Sequence, residues 1–254
     1  MSVSTLLTVL LACASPPSPP AAEPPTLLQT HRWEWEGQTG TAWVVSFPRD
    51  ATVDIVPSDD VVPLTTFAPD DAGPWALLNG GFYEQAAMGL VVSDGQTQTA
   101  LTDRGGSGVL VYNGQQARVI PREAWPVDAT EALQSIDRLV VDAQSVVRRR
   151  EGAPQAARSA VVLSQDKLYL VLHAADASFR TEADGTVFVD NPYGPGMPLW
   201  AFADWLITEL DATYALNMDG GLSTNLLVRD GDRRFALRGV GGTINGVLVR
   251  PRAQ

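Results

Sequence analysis

The stretch from which the rest of the chain is read is Ala215-Leu216-Asn217-Met218-Asp219-Gly220-Gly221-Leu222-Ser223-Thr224-Asn225-Leu226-Leu227-Val228. Two apolar runs, Tyr214 to Met218 and Leu226 to Val228, have the length and composition of short buried strands. Between them stand a carboxylate, two glycines, two hydroxyls and an amide. Glycine tolerates positive φ and lets a second backbone or a ligand approach closely. An acid at a strand end, with N–H groups and hydroxyls beside it, is a candidate reaction centre. The same residues also describe a hairpin turn in which Asp219 caps its own backbone. A second stretch weighs against the plain turn. Trp75-Ala76-Leu77-Leu78-Asn79-Gly80-Gly81-Phe82-Tyr83 again runs from an apolar strand into a polar residue and a glycine pair. Two loops of one design predict one shared site, with the strands ending at Leu78 and Met218 side by side in one sheet.

Upstream of Asp219, Leu199, Phe202, Ala203, Leu206 and Leu210 recur at helical spacing behind Pro198, which is tolerated at a helix start. This stripe is core, and the helix sets the strand that carries Asp219. Downstream, Gly239 to Gly242 lead into a final strand, Thr243 to Val249, which contains Asn245. Ser159 to Leu163 and Leu168 to Leu172 form a hairpin through Gln165-Asp166-Lys167. Arg158 stands at its mouth, where a guanidinium can be fixed for a planar anion. His173 ends the second strand, in the position of a satisfied structural histidine rather than a catalytic one. The cluster Arg148-Arg149-Arg150 has the look of a solvated loop.

Further out, Trp33 to Trp35, Thr41 to Phe47, Ala51 to Val56, Met88 to Val92, Gly108 to Tyr112 and Arg138 to Val141 alternate enough to be strands. Asp59 to Asp71 is a loop or one short helix. Asp128 to Ser135 is a helical turn, with Asp128 and Thr130 as candidate caps. Many short strands, few helices and no βαβ rhythm predict an α+β fold: mixed, mostly antiparallel sheets in a single compact domain.

The ends and the composition bound the function. Met1 to Ala12 is apolar, too short to span a bilayer, and runs into Leu10-Leu11-Ala12-Cys13. This resembles a bacterial lipoprotein cleavage site with Cys13 as the lipidated residue. A plain cleaved leader is the alternative. Pro16 to Pro25 is a stiff polyproline-type spacer. The expected division is leader 1–13, linker 14–29 and domain 30–254, on the envelope side of a bacterial cell, anchored or secreted. Cys13 is the chain's only cysteine, so the domain has no disulfide. Of the 254 residues, 45% are hydrophobic and 19% charged, enough for a sizeable core. A net charge of -11 argues against nucleic acid or an anionic membrane surface as partner. The chain lacks a phosphate-binding nucleotide loop, an EF-hand and a zinc-type cluster, and it has no Gly-x-Ser-x-Gly elbow for a serine triad.

The motifs together resemble the phosphodiester glycosidase domain family. The blocks run in family order: Asn79-Gly80-Gly81-Phe82-Tyr83, Gly89 to Gly95, Arg138 to Asp142, Ala157-Arg158-Ser159-Ala160-Val161, the helix followed by Ala215 to Thr224, and Thr243-Ile244-Asn245. The likeness covers roughly residues 40 to 250. Leu222 departs from it where a third glycine is usual, and Ala143 where a glycine commonly follows Asp142. The resemblance implies hydrolysis of a sugar-1-phosphodiester; the residues name no cofactor and no metal ligands, and leave a metal requirement open. It implies Asp219 as the group that activates water or stabilises an oxocarbenium-like centre. Arg158 and the glycine-loop N–H groups would stabilise the anion, and Asn79 would orient substrate or water. Gly80, Gly81, Gly220, Gly221, Ser223 and Thr224 would line the substrate site. Two rivals stand beside this reading. One is a non-catalytic glycan-binding lipoprotein. The other is an ordinary cell-wall glycosidase, which needs a second carboxylate roughly 5–10 Å from the first, here Asp142 or Glu84.

Overall fold

In the computed structural model, which describes residues 27–183, 185–191 and 193–252, three β-sheets share one main core. The leader, Cys13 and the proline-rich spacer lie outside the described residues. The first sheet orders its strands Leu28–Trp35, Gln38–Pro48, Lys167–Ala175, Arg158–Leu163, Tyr214–Met218, Arg138–Val141 and Gln144–Ser145, every pair antiparallel. The second runs Phe179–Thr181, Val187–Val189, Arg233–Gly239, Leu226–Asp230, Trp75–Asn79, Thr243–Arg250 and Thr52–Val62, with one parallel pair between Val187–Val189 and Arg233–Gly239. The third holds Gln96–Thr99, Val91–Ser93, Glu131–Ser135, Gly108–Tyr112 and Ala117–Pro121.

Side-chain alternation explains the packing. On Arg158–Leu163, Val161 and Leu163 face the main core, where they meet Leu78, Leu226 and Val247 of the second sheet and Leu133 of the third. Ala160 and Val162 face the other way, onto the α-helix Leu199–Leu210. Both faces of this sheet are therefore covered, and its strands read as nearly continuous apolar runs. The helix buries Phe202, Ala203, Leu206 and Leu210 on that sheet, as their spacing predicts. It stops at Asp211, which adopts φ 50° and donates its N–H to the Leu206 carbonyl.

Three expectations are corrected. Strand content dominates and Leu199–Leu210 is the single α-helix among the described residues, so the fold is predominantly β rather than α+β. The segment Glu131–Ser135 is a strand between Gly108–Tyr112 and Val91–Ser93, not a helical turn. Its first residue, buried Glu131, accepts the N–H groups of Asp94 in its own sheet and of Ile55, and the second bond ties the third sheet to the second. Finally, the strands ending at Asn79 and Met218 belong to different sheets, which face each other across the core.

Candidate active site

The two glycine loops meet even though their strands do not pair. The Asp219 N–H donates to the Gly80 carbonyl at 2.9 Å, and the Asn79 side-chain amide donates to the Asp219 carbonyl at 2.6 Å. Asn79 is fully buried, and its carbonyl oxygen accepts the Ser159 hydroxyl at 2.9 Å and the Asn225 N–H at 3.0 Å. The expected role of Asn79, orienting substrate or water, is corrected on this ground. Its side chain is committed to protein partners and clamps the ends of the two sheets together.

The glycines serve the same closure. A Cβ on Gly80 would stand 1.9 Å from the Asn245 side-chain oxygen, and one on Gly220 would stand 2.8 Å from the Ala157 carbonyl. The N–H groups of Gly80, Gly81, Gly220 and Gly221 donate to the Asn245 carbonyl, the Asn245 side chain, the Asp219 carboxylate and the Ala157 carbonyl. All four are spent within the protein, so the expectation that they hold a substrate anion is corrected. Ser223 and Thr224 are buried as well, and the Ser223 hydroxyl bonds the Asp219 carboxylate.

Asp219 emerges from this knot half-buried. Burial raises its pKa from 3.8 to about 6, and the hydrogen bonds from Ser223 and the Gly220 N–H oppose the rise. A carboxyl that titrates near neutrality is suited to moving a proton.

Strand register supplies its neighbours. Ser159 pairs with Met218, so one step further along Arg158 and Asp219 stand on adjacent strands. Arg158 shares a sheet face with His173, its partner on the next strand, and with Asn217, the partner of Ala160. The Arg158 guanidinium donates to the Pro154 carbonyl at 2.7 Å, while its Nε is buried without a partner among the described residues. Burial lowers the Arg158 pKa and the charge of Asp137 counters it. Burial likewise raises the Asp137 pKa, with Arg158 opposing. The two charges therefore act on each other without a direct ion pair, and neither perturbs the carboxyl of Asp219.

Asp137 is the carboxylate that motif reading passed over. Its backbone carbonyl accepts the Asn217 N–H at 2.9 Å, which sets it at the Asp219 end of the sheet. Asp142 sits at the opposite end of the same strand, exposed, with its carboxylate on the Tyr214 hydroxyl. Glu84 is exposed on a 2.6 Å ion pair with Arg104. Neither of the two expected second carboxylates lies at the Asp219 end of the sheet, whereas the backbone of Asp137 does. A second addition is Tyr193, 68% exposed, whose ring lies over Gly221 so closely that a Cβ there would be 2.6 Å from it. His173 is fully buried, stacked on Trp33 at 4.6 Å, and neither ring nitrogen bonds another residue. It is structural, as expected, but not hydrogen-bonded. Among the described residues no three of His, Cys, Asp and Glu gather into a metal-binding group.

The sequence profile of the phosphodiester glycosidase family matches residues 73–247, from the first glycine loop through the last strand. The chain belongs to the phosphodiester glycosidase family. The solved catalytic domain of zebrafish N-acetylglucosamine-1-phosphodiester alpha-N-acetylglucosaminidase, auto-inhibited by its pro-peptide, shares the fold. Its TM-score is 0.60 at 14% identity, over 91% of this chain and 86% of the zebrafish chain. A hypothetical protein from Synechocystis gives a TM-score of 0.59 at 14% identity, over 88% of this chain and 62% of that one. No protein of curated function is significantly similar in sequence. A phosphodiester glycosidase domain of this kind is a member of a hydrolase family acting on carbohydrate-derived substrates.

Proposed function

We propose that the protein hydrolyses a sugar-1-phosphodiester by breaking the bond between the anomeric carbon and the phosphate oxygen. The observation that carries the reading is Asp219, held where the two glycine loops meet, with its pKa raised to about 6. Above that pH the carboxylate is ionised yet basic enough to take a proton from water. The water oxygen bonds to the anomeric carbon, its proton passes to Asp219, and the bonding pair leaves with the phosphate monoester. Such a leaving group is already anionic and stable, so it needs less protonation than an ordinary glycosidic oxygen. Arg158, next to Asp219 on the adjacent strand, offsets the developing charge. The Ser223 hydroxyl and Gly220 N–H hold the Asp219 carboxylate in one orientation. The exposed Tyr193 ring offers an apolar face to the sugar.

A second reading, an ordinary glycosidase with two carboxylates, is favoured by one observation: Asp137 stands at the same end of the sheet as Asp219. Its charge pairing with Arg158 places it lower than the first. Hydrolysis in heavy-oxygen water separates the possibilities. With an N-acetylglucosamine-1-phosphodiester as substrate, the label is expected on the sugar and absent from the released phosphate monoester. Label in the phosphate, or cleavage of neutral glycosides alone, would overturn the proposal.

A further inference from the structure

A cavity of about 610 Å³ opens beside the Arg158–Asp137 pair. Its wall includes Arg148, Arg149, Arg150 and Trp200. Read from sequence, the three arginines are a solvated charge run. The structure places them around the same space as the half-buried Arg158, in a chain whose net charge is -11.

Their partners are unequal. Arg149 is occupied: it pairs with Asp204 at 2.5 Å and its guanidinium lies 5.0 Å from the Trp200 ring centre. No carboxylate among the described residues pairs with Arg148 or Arg150. Like charges held together repel, and of the three only Arg149 has a carboxylate partner among the described residues. The first turn of the helix Leu199–Leu210, which also lines the cavity, has no acidic residue and no side-chain cap, so it adds no negative charge to the space. Asp137 cancels at most one of the positive charges that remain. A phosphodiester linkage carries a single negative charge, which Arg158 alone can meet. The cavity is also several times larger than one phosphate needs and falls within the range of small-ligand sites.

We propose that this cavity is the acceptor-side subsite and that it takes an acceptor bearing at least one anionic group besides the scissile phosphodiester, as in a phosphate-linked polymer or a phosphorylated saccharide. Arg148 and Arg150 engage the additional anion while Arg158 faces the scissile phosphate. The inference rests on the sugar-1-phosphodiester reading for the word acceptor. The anion site itself does not.

Two measurements on the full domain decide it. Calorimetric binding compares inorganic orthophosphate with tripolyphosphate, on the parent protein and on the double variant Arg148→Gln/Arg150→Gln; both positions are exposed. The parent is expected to bind tripolyphosphate about tenfold more tightly than orthophosphate, and the variant to lose most of that advantage. Equal affinity for the two anions, or an advantage that survives in the variant, overturns the proposal. The second measurement is the ratio of kcat/KM for an N-acetylglucosamine-1-phosphodiester with a phosphorylated acceptor to that for one with a neutral acceptor. The double variant should lower this ratio about tenfold through KM. An unchanged ratio sinks the subsite. Should no sugar-1-phosphodiester be cleaved by the parent while the anion comparison holds, the reaction assignment fails and the anion site stands.

Discussion

Asn79 shows how one buried side chain can hold the ends of two sheets together. Its side chain closes three hydrogen bonds, to the Asp219 carbonyl, the Ser159 hydroxyl and the Asn225 N–H, from a fully buried position. Asn79→Leu keeps the approximate volume and leaves those groups unpaired in the interior. The expected cost is about 3 kcal/mol or more, since each orphaned buried polar group costs roughly 1–3 kcal/mol. Denaturant unfolding measures it. Unchanged stability with abolished turnover would instead mean that the side chain reaches substrate. Asp219 was singled out by the second glycine loop rather than by its own, because Asp-Gly-Gly alone also describes a turn; the structure does join the two loops. Asp137 was not legible. It precedes a strand like many loop acids do, and only the Arg138–Leu216 and Ser159–Met218 registers bring it to the right end of the sheet.

At the scale of the element, the helix and its sheet enclose a titratable group with a consequence for acid stability. His173 lies beneath Phe202 and against Trp33. Burial, and then the charge of Arg158, lowers its pKa from 6.5 to about 3. Between those values the unfolded chain binds a proton that the folded chain refuses, so stability falls as the pH drops through that window. Asp219 acts oppositely: its folded pKa, about 6, exceeds 3.8, so the folded state holds the extra proton and gains stability as the pH falls between them. The histidine shift is the larger. His173→Phe, which suits an aromatic stack with no ring hydrogen bonds, should therefore flatten the loss of melting temperature between about pH 7 and pH 4.5. Identical pH profiles for variant and parent would contradict this.

Elements differ in how openly the sequence displays them. The helix was plain because its apolar period is 3.6 and Pro198 marks its start. Strand Glu131–Ser135 was hidden because Asp128 and Thr130 resemble caps, while Glu131 is a buried acid with one partner, the Ile55 N–H, on another sheet. Which sheet a strand joins depends on pairings between distant residues, and local pattern is silent on that. The strands ending at Asn79 and Met218 look alike for a local reason, yet they belong to opposite layers.

At the scale of the whole molecule, two facing sheets bring their ends to one knot of backbone and amide bonds that carries Asp219, and the strand next to it leads through Arg158 to a basic cavity. The glycine pairs let the two layers approach closely, and their N–H groups are consumed in doing so. In the proposed reaction, charge for an anionic substrate falls to Arg158 and the arginines of residues 148–150. The family profile covers this whole arrangement, from residue 73 to residue 247. The balance of classes was misjudged from sequence because turns with cap-like residues inflate the apparent helix content. The layered β core was still visible in the alternating apolar runs.

The central claim is that Asp219 performs the chemistry, and the direct measurement is the turnover of Asp219→Asn on an N-acetylglucosamine-1-phosphodiester, with the fold checked by circular dichroism and melting temperature. The amide retains an oxygen to accept the Gly220 N–H and loses only the charge and basicity. Turnover is predicted to fall on the order of a hundredfold or more with the fold intact. A variant that folds normally and turns over at the parental rate would contradict the account.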